Sequence, residues 1–168
     1  MKQILEESGM RVPYEADACY MIEKSPLVAK LQGVKIVEFV QVEGKKRIKL
    51  LEAKTTAPSQ NNMVDYNDYL REIREKFQNS ISILNAAKMK RRENIYDELP
   101  QPLKDLDYKT VIYWLYLVIK ESKDDWIVNL SADLHRQLHP FLKCWNIPDA
   151  NFLVLNEAMA KEIGIVVS

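Results

Sequence analysis

Residues 34–55 (VKIVEFVQVEGKKRIKLLEAKT) contain two stretches rich in Val, Ile, Leu and Phe on either side of a short polar segment, Gly44–Lys46. This pattern predicts a β-hairpin. Side chains two positions apart along a strand lie on the same face of a sheet. The even positions of both arms are aliphatic except for Glu38, Glu52 and Lys54. The hairpin therefore predicts a sheet with three charged groups inside an otherwise apolar face.

The turn of this hairpin decides how close the charged groups lie. A three-residue turn pairs Glu43 with Arg47 and keeps the aliphatic positions of both arms on one face. The same register places Glu38 directly opposite Glu52. A two-residue turn would set an aliphatic face against a mixed one, so the pattern favours the three-residue turn.

Charged groups inside an aliphatic face have a chemical use. Each isolated buried charge costs on the order of several kcal/mol, so such groups are paired or bound to an ion. Two carboxylates can hold a hard divalent cation that keeps positions open for water and phosphate, and a lysine can stabilise developing negative charge. The alternative is a purely structural cross-strand salt bridge between Glu38 and Lys54.

Glu38 followed by Glu52-Ala53-Lys54 on the next strand resembles the motif of the PD-(D/E)XK nuclease superfamily, the restriction-endonuclease-like enzymes. The resemblance implies a metal-dependent nuclease in which Glu38 and Glu52 bind Mg²⁺ or Mn²⁺ and Lys54 is the catalytic lysine. The backbone carbonyl of Ala53 would be a further metal ligand. The chain departs from the family pattern at this first acidic position. The family usually has Asp there, often after Pro, whereas this chain has Glu38 after Val37.

The remaining sequence predicts an α/β (α+β) chain with one domain, residues 1–168, and a mixed central sheet flanked by helices. The order α-β-β-β-α-β-α-β is also the order that the restriction-endonuclease-like resemblance implies. The predicted elements are a helix over 2–9, a strand Ala18–Ile22, a helical turn Leu27–Leu31, a helix Asp65–Arg92, a loop Asn94–Tyr108, a buried strand Lys109–Ile119, a helix Asp125–Cys144, which Pro140 bends or divides, a strand Phe152–Leu155, a helix Glu157–Ile163 and a last extended segment, 165–167.

Several other residues are weaker candidates for this site. Glu23 follows the first strand and Gln60 lies in the connection after Lys54, so both could add polar groups to the site. Each also fits an ordinary surface position. Tyr69 and Lys76 on the long helix are further candidates, with a core aromatic and a surface lysine as the favoured interpretations.

Two other clusters favour structural roles. His135 and His139 lie four apart on a predicted helix but have no third ligand at a metal-binding spacing, so we expect packing or surface histidines. The basic run Lys88–Arg92 could contact phosphates, but it also suits a helix C-terminus, which we favour.

Composition limits the setting and the partners. The chain has 24 basic and 24 acidic residues, which argues against a broadly basic nucleic-acid-binding surface but leaves room for a local groove. Cys19 and Cys144 have no metal-type spacing and suit reduced thiols. Neither a secretory signal nor a membrane-spanning run is evident, so we expect a cytoplasmic protein.

The sequence therefore leaves two functional hypotheses. The first is a metal-dependent nuclease that hydrolyses phosphodiester bonds of nucleic acid, with DNA as the favoured substrate. The second is a catalytically inactive module of the same fold that binds nucleic acid or a protein partner. Either could work as a homodimer or beside a partner subunit.

Overall fold

The structure, a computed structural model, describes residues 1–168. Its strands are β1 (Lys2–Glu7), β2 (Met10–Glu15), β3 (Cys19–Tyr20), β4 (Phe39–Glu43), β5 (Arg47–Lys54), β6 (Ile112–Ile119) and β7 (Phe152–Asn156). Its α-helices are α1 (Pro26–Ala29), α2 (Met63–Lys88), α3 (Glu93–Glu98), α4 (Gln101–Asp105), α5 (Asp124–Cys144) and α6 (Glu157–Glu162). Short 3₁₀ turns lie at Ala16–Ala18, Ile22–Lys24 and Asp149–Asn151.

A five-stranded mixed sheet in the order β3-β4-β5-β6-β7 forms the centre of the fold. β4 is antiparallel to both of its neighbours, β3 and β5, whereas β5, β6 and β7 run parallel to one another. Parallel neighbours need a crossover connection, and α2 and α5 lie in the two connections that join the parallel strands. The predicted mixed α/β sheet flanked by helices is therefore confirmed.

The predicted hairpin register is confirmed along the paired part of the two strands. Glu43 lies opposite Arg47, and the ladder continues to the pair of Phe39 and Leu51. Gly44 has a φ of +62°, the left-handed region that glycine adopts without strain, and this permits the short turn.

Both faces of the central sheet are covered. The aliphatic positions that the sequence predicts on one face, such as Val40, Ile48 and Leu50, pack with α2 and α5 in a core of 33 buried residues. Phe39, Leu51 and other residues on the opposite face pack with β1, β2, α6 and the C-terminal residues in a second core of 11 buried residues. The edge of the sheet where β5 and β6 end is thus bordered by a helical layer on one side and by the N-terminal hairpin on the other.

The predicted N-terminal helix over 2–9 is wrong. These residues form β1 and the start of an antiparallel hairpin with β2, in which Glu7 pairs with Met10 across a two-residue turn. Ser8 and Gly9 have φ values of +50° and +72°, as a type I′ turn requires. Leu5, Met10 and Val12 are buried against the central sheet, and this tertiary packing outweighs the helical propensity of the Lys, Gln, Leu and Glu residues.

The first arm of the predicted hairpin is shorter than the sequence indicates. Residues 34–38 lie outside regular strand structure, and β4 begins at Phe39. The amide of Val37 donates to the Ser80 hydroxyl of α2 (3.0 Å), and the amide of Glu38 donates to the carbonyl of Leu51 (3.0 Å). The ladder therefore ends before the predicted pair of Glu38 and Glu52.

The predicted loop Asn94–Tyr108 is also wrong, since it contains α3 and α4. Ile95 and Leu103 are buried in the larger core, which explains why these short segments are ordered as helices. The seven strands and the two long helices, α2 and α5, follow the order β-β-β-β-β-α-β-α-β, and the predicted helix before the first strand is absent.

The other predicted elements occur close to their expected positions. Asn62 caps α2 by accepting from the Asp65 amide, and Asn156 caps α6 by accepting from the Met159 amide (2.9 Å). Pro140 lies inside α5, which is one continuous helix. The predicted terminal extended segment makes only an isolated bridge, between Val167 and Arg11. None of the six α-helices combines the length and apolar composition that crossing a membrane requires.

Candidate metal and active site

Glu52 is the most deeply buried charged residue of the chain, with none of its surface exposed. It lies near the carboxyl end of β5 on the side that faces α2. The ammonium of Lys76, on α2, lies 2.6 Å from Glu52 Oε1, and the ammonium of Lys54 lies 3.3 Å from the same oxygen. Burial raises the pKa of the Glu52 carboxyl, and the charges of Lys76 and Lys54 oppose that rise.

Only one carboxylate oxygen of Glu52 is in contact with positive charge. Both lysines lie at Oε1, whereas the buried Oε2 has no hydrogen-bond partner, and the buried hydroxyl of Tyr69 has none either. Buried carboxylates normally accept several hydrogen bonds. The side chain of Glu52 therefore has room for a further ligand beyond its ion pairs.

Lys54 is held between two carboxylates. Its ammonium lies 2.8 Å from Glu72 Oε1 on α2 as well as 3.3 Å from Glu52. Burial alone would lower the pKa of Lys54, but these acidic neighbours outweigh burial and raise it. Burial likewise acts to raise the pKa of Glu72, and the lysine contacts outweigh it and lower the pKa. Lys54 is therefore a fixed positive charge at the strand end.

Glu38 belongs to a second acidic group, together with Glu7 and Glu23. One carboxylate oxygen from each of these three residues lies within 4.8 Å of the other two. No Lys, Arg or His nitrogen lies within 4.0 Å of them. Burial, a hydrogen bond with Glu23 and the charges of Glu52, Glu23 and Glu7 raise the pKa of Glu38 to about 9.

The Ser8–Gly9 turn of the N-terminal hairpin contacts the end of β5 on the side of the sheet opposite to α2. The Ser8 hydroxyl donates to the carbonyl of Ala53 (3.1 Å), and the Ser8 amide donates to Glu7 Oε1 (3.0 Å). A Cβ atom on Gly9 would lie 2.6 Å from the ammonium of Lys120, which follows β6. The turn therefore holds Glu7 beside Glu38 and lies close to the carboxyl ends of β5 and β6.

The structure brings together most of the residues that the sequence singled out. Glu38, Glu52, Lys54, the Ala53 carbonyl and Glu23 all lie at this edge, although the Glu38 carboxylate is grouped with Glu7 and Glu23 and the Glu52 carboxylate with lysines. Gln60 is placed differently. Its amide nitrogen hydrogen-bonds with the Tyr66 hydroxyl (3.3 Å) and with Asp133 of α5 (3.2 Å) rather than with these carboxylates.

Sequence reasoning misses Glu7, which the pattern places in a helix; only the Ser8–Gly9 pair, which favours a tight turn, indicates otherwise. Lys76 is among the sequence candidates, but the favoured interpretation, a surface lysine, is wrong, because its side chain is buried against Glu52. The signal for Lys76 was its spacing from Tyr69 and Glu72, which places the three residues on one side of α2.

The histidine pair lies elsewhere and is engaged in local contacts. His135 Nδ1 lies 2.7 Å from the carbonyl of Ser131 and its Nε2 lies 3.1 Å from the carbonyl of Asp149. His139 Nδ1 lies 3.5 Å from the Asp149 carboxylate. These contacts fix the imidazole rings against α5 and the turn before β7, in keeping with a structural role. Cys19 and Cys144 are both free thiols.

Comparison of the chain with models of protein families, with curated proteins and with solved structures gave no match. The geometry and chemistry of the carboxylates and lysines at this edge of the sheet are therefore the basis for inferring a function.

Proposed function

We propose that the protein is a metal-dependent nuclease that hydrolyses phosphodiester bonds of nucleic acid, with DNA as the favoured substrate. One observation carries the proposal: the carboxylates of Glu7, Glu23 and Glu38 lie together at the edge of the sheet where β5 ends, close enough to Glu52 for its charge to act on Glu38, and Lys54 contacts Glu52. Glu38 and Glu52 are buried, and Oε2 of Glu52 has no hydrogen-bond partner. An arrangement of this kind fits a cation and its phosphate ligand better than it fits an apolar core.

The acidic group suits a hard divalent cation. Mg²⁺ and Mn²⁺ prefer carboxylate oxygens, and Mg²⁺ retains several waters when it binds a protein. Glu7, Glu23 and Glu38 offer three such oxygens without a neighbouring basic residue to neutralise them. Glu52 lies close enough for its charge to raise the pKa of Glu38. Glu38 and Glu52 are therefore the proposed ligands, with Glu7 and Glu23 as additional ones.

The proposed chemistry divides between the cation and the chain. A bound divalent cation would polarise the phosphate and lower the pKa of a bound water. The Lys54 ammonium would donate to the attacking water or to a phosphate oxygen as negative charge develops. Lys76 holds Glu52 through its 2.6 Å contact and fixes the carboxylate beside the strand end. Ser8 leaves one lone pair of the Ala53 carbonyl free for a further ligand.

The strand order also supports the proposal. Glu38 immediately precedes β4, and Glu52-Ala53-Lys54 ends the adjacent strand β5, which is the arrangement that the PD-(D/E)XK resemblance implies. The chain departs from the element order that this resemblance implies at its N-terminus, where a β-hairpin that contributes Glu7 stands in place of the expected helix. If the resemblance holds, this chain would be a divergent member of that superfamily.

Replacing Lys54 by alanine tests the catalytic role directly. We expect Mn²⁺-dependent cleavage of DNA to slow by about 10²–10³-fold, the effect of removing one donor that stabilises charge in a transition state. The matched control is Lys46→Ala, which removes an exposed lysine at the other end of the same hairpin and should leave the rate unchanged. The measurement is single-turnover cleavage of labelled single-stranded and duplex DNA. Equal rates for Lys54→Ala and wild type, or no metal-dependent cleavage by wild type, would contradict the proposal.

One observation favours a second candidate function, a non-catalytic module that binds nucleic acid or a protein partner. Lys54 and Lys76 already balance the charges of Glu52 and Glu72, so this half of the site is satisfied without a cation. Under this hypothesis, substitution of Glu38 stabilises the fold and removes no activity. Cleavage assays on the same variants separate the two functions.

A further inference from the structure

A cleft of about 190 Å³, partly open to solvent and called the cavity below, lies beside the candidate site. Its walls are the segment 57–61, Tyr66 of α2, and the segment 122–130, which leads from the end of β6 into α5. Cavities for drug-sized ligands are typically about 300–1,000 Å³, so this one suits a smaller group, of the size of one planar ring system.

The cavity is close to Lys54 because the two segments that wall it leave the sheet side by side. The Lys120 amide donates to the Lys54 carbonyl (2.9 Å), and the Glu121 amide donates to the Thr55 carbonyl (2.9 Å). The wall formed by segment 57–61 begins three residues after Lys54, a distance of at most about 10 Å along the chain. A strand bound at the carboxylates can therefore reach the cavity.

The residues that line the cavity are unfavourable for binding a phosphate. None of the lining residues is Lys or Arg, and one of them is Asp125, whose carboxylate repels anions. The apolar part of the lining includes Pro58 and Trp126. Trp126 is 48 % exposed, so its indole is accessible from solvent. The cavity therefore favours a neutral group with a flat face that can stack on an indole.

The polar part of the lining has unused hydrogen-bonding groups. The side chains of Asn61, Asn129 and Ser122 line the cavity and make no hydrogen bond within the chain. Amide side chains recognise the edges of nucleobases, and a carboxylate accepts from an exocyclic amino group. An indole next to free amides and a carboxylate provides both the face and the edge contacts that a base needs.

Hydrogen bonds within the chain fix the walls of the cavity relative to one another. The Tyr66 hydroxyl donates to Asp133 (2.7 Å), and the Gln60 amide bonds to both of these residues. These bonds tie the segment 57–61 to α2 and α5. A group that enters the cavity therefore does not have to order its walls.

We infer that this cavity binds one unpaired nucleobase of the strand whose phosphate lies at the carboxylates, so that the substrate is single-stranded nucleic acid or a duplex with an extruded base. The inference rests on the proposed nuclease function for the position of the phosphate. It goes beyond that function because it assigns the specificity for unpaired bases to Trp126, Asn61 and Asn129. A base that is paired inside a duplex presents no free face to Trp126, so intact duplex DNA binds less well.

Trp126→Ala tests this inference by direct binding, with EDTA present so that neither metal nor cleavage contributes. The probes are a fluorescein-labelled single-stranded DNA of mixed sequence and a strand of the same length with abasic nucleotides, followed by fluorescence anisotropy. We expect wild type to prefer the strand with bases, and Trp126→Ala to bind that strand about ten-fold to a hundred-fold more weakly while its affinity for the abasic strand is unchanged. Val128→Ala, at an exposed α5 position outside the cavity, is the control and should behave as wild type.

The outcomes separate this inference from the proposed function. Equal affinities of wild type and Trp126→Ala for the single strand, or no binding to it by wild type, overturn the inference even if Mn²⁺-dependent cleavage is found. Base-dependent binding that is lost in Trp126→Ala, together with an absence of metal-dependent cleavage, supports the pocket and contradicts the nuclease. Equal loss in Val128→Ala would assign the effect to α5 as a whole and would also overturn the inference.

Discussion

Lys76→Ala is expected to lower the free energy of unfolding by about 3 kcal/mol at neutral pH. The ammonium of Lys76 is the nearest positive charge to Glu52, at 2.6 Å, and Glu52 is completely buried. Removing one partner of a buried ion pair leaves an uncompensated charge, and only Lys54, at 3.3 Å, remains to offset it. Urea denaturation of the variant and of wild type measures the difference.

The control for this prediction is Lys35→Ala. Lys35 forms an ion pair with Glu75 of α2, at 3.4 Å, but both side chains are substantially exposed. Exposed pairs contribute about 0–1 kcal/mol, so this variant should be nearly neutral. The double variant Glu52→Leu/Lys76→Met, which removes both charges, should recover most of the loss. A change below about 1 kcal/mol in Lys76→Ala would contradict the central position that we assign to the Glu52 pair.

Glu38→Gln is expected to have the opposite effect and to raise the free energy of unfolding by several kcal/mol near pH 8. Burial and the acidic neighbours raise the pKa of Glu38 from 4.5 to about 9, so the folded state binds its proton more tightly than the unfolded state does. The stabilisation that comes from the bound proton is complete below about pH 4.5 and is lost as the pH rises towards 9. Glutamine cannot titrate, and it retains a donor for the hydrogen bond to Glu23.

Denaturation of wild type and Glu38→Gln at a series of pH values measures this effect. The stability of wild type should decline between about pH 5 and 9, and the variant should lose much of that slope. Glu6→Gln, an exposed substitution on β1, is the control and should follow wild type. If the two curves remain parallel across this range, Glu38 is not held protonated. If Glu38→Gln is more stable than wild type but no longer cleaves DNA, Glu38 has a functional role, because wild type keeps this residue although it destabilises the fold.

Strong alternation made the hairpin predictable. The aliphatic positions of β4 and β5 fixed the register, and that register identified Glu52 and Lys54 as charges at the end of a buried strand. The position of Glu38 was less predictable, because its backbone leaves the ladder at the residue before β4. The alternation of apolar and polar residues does not specify at which residue the pairing of two strands ends.

The rest of the site depends on contacts between segments that are distant in the sequence. Residues 2–7 consist largely of good helix formers, and they form a strand because they pair with β2 and because Leu5, Met10 and Val12 pack against the sheet. That packing brings Glu7 to Glu38. Lys76 lies on a helix with many exposed charges, and no local pattern distinguishes it from them until α2 is placed over Glu52. Strand alternation in the sequence therefore points to Glu38 and Glu52, and the position after the first strand points to Glu23, whereas tertiary packing was needed to find Glu7 and the burial of Lys76.

Calorimetric titration of Mn²⁺ into wild type and Glu38→Gln tests most directly whether the carboxylates form a metal site. Metal ligands must be deprotonated, and the raised pKa of Glu38 means that its proton has to leave when a cation binds near neutral pH. Wild type should bind Mn²⁺ with release of about one proton, measured in two buffers of different ionisation enthalpy. Glu38→Gln should show no comparable binding, and Glu23→Gln, whose exposed position should leave the fold intact, should bind more weakly than wild type. Equal Mn²⁺ affinity in wild type and Glu38→Gln, or no binding by wild type, would contradict a metal site at these carboxylates.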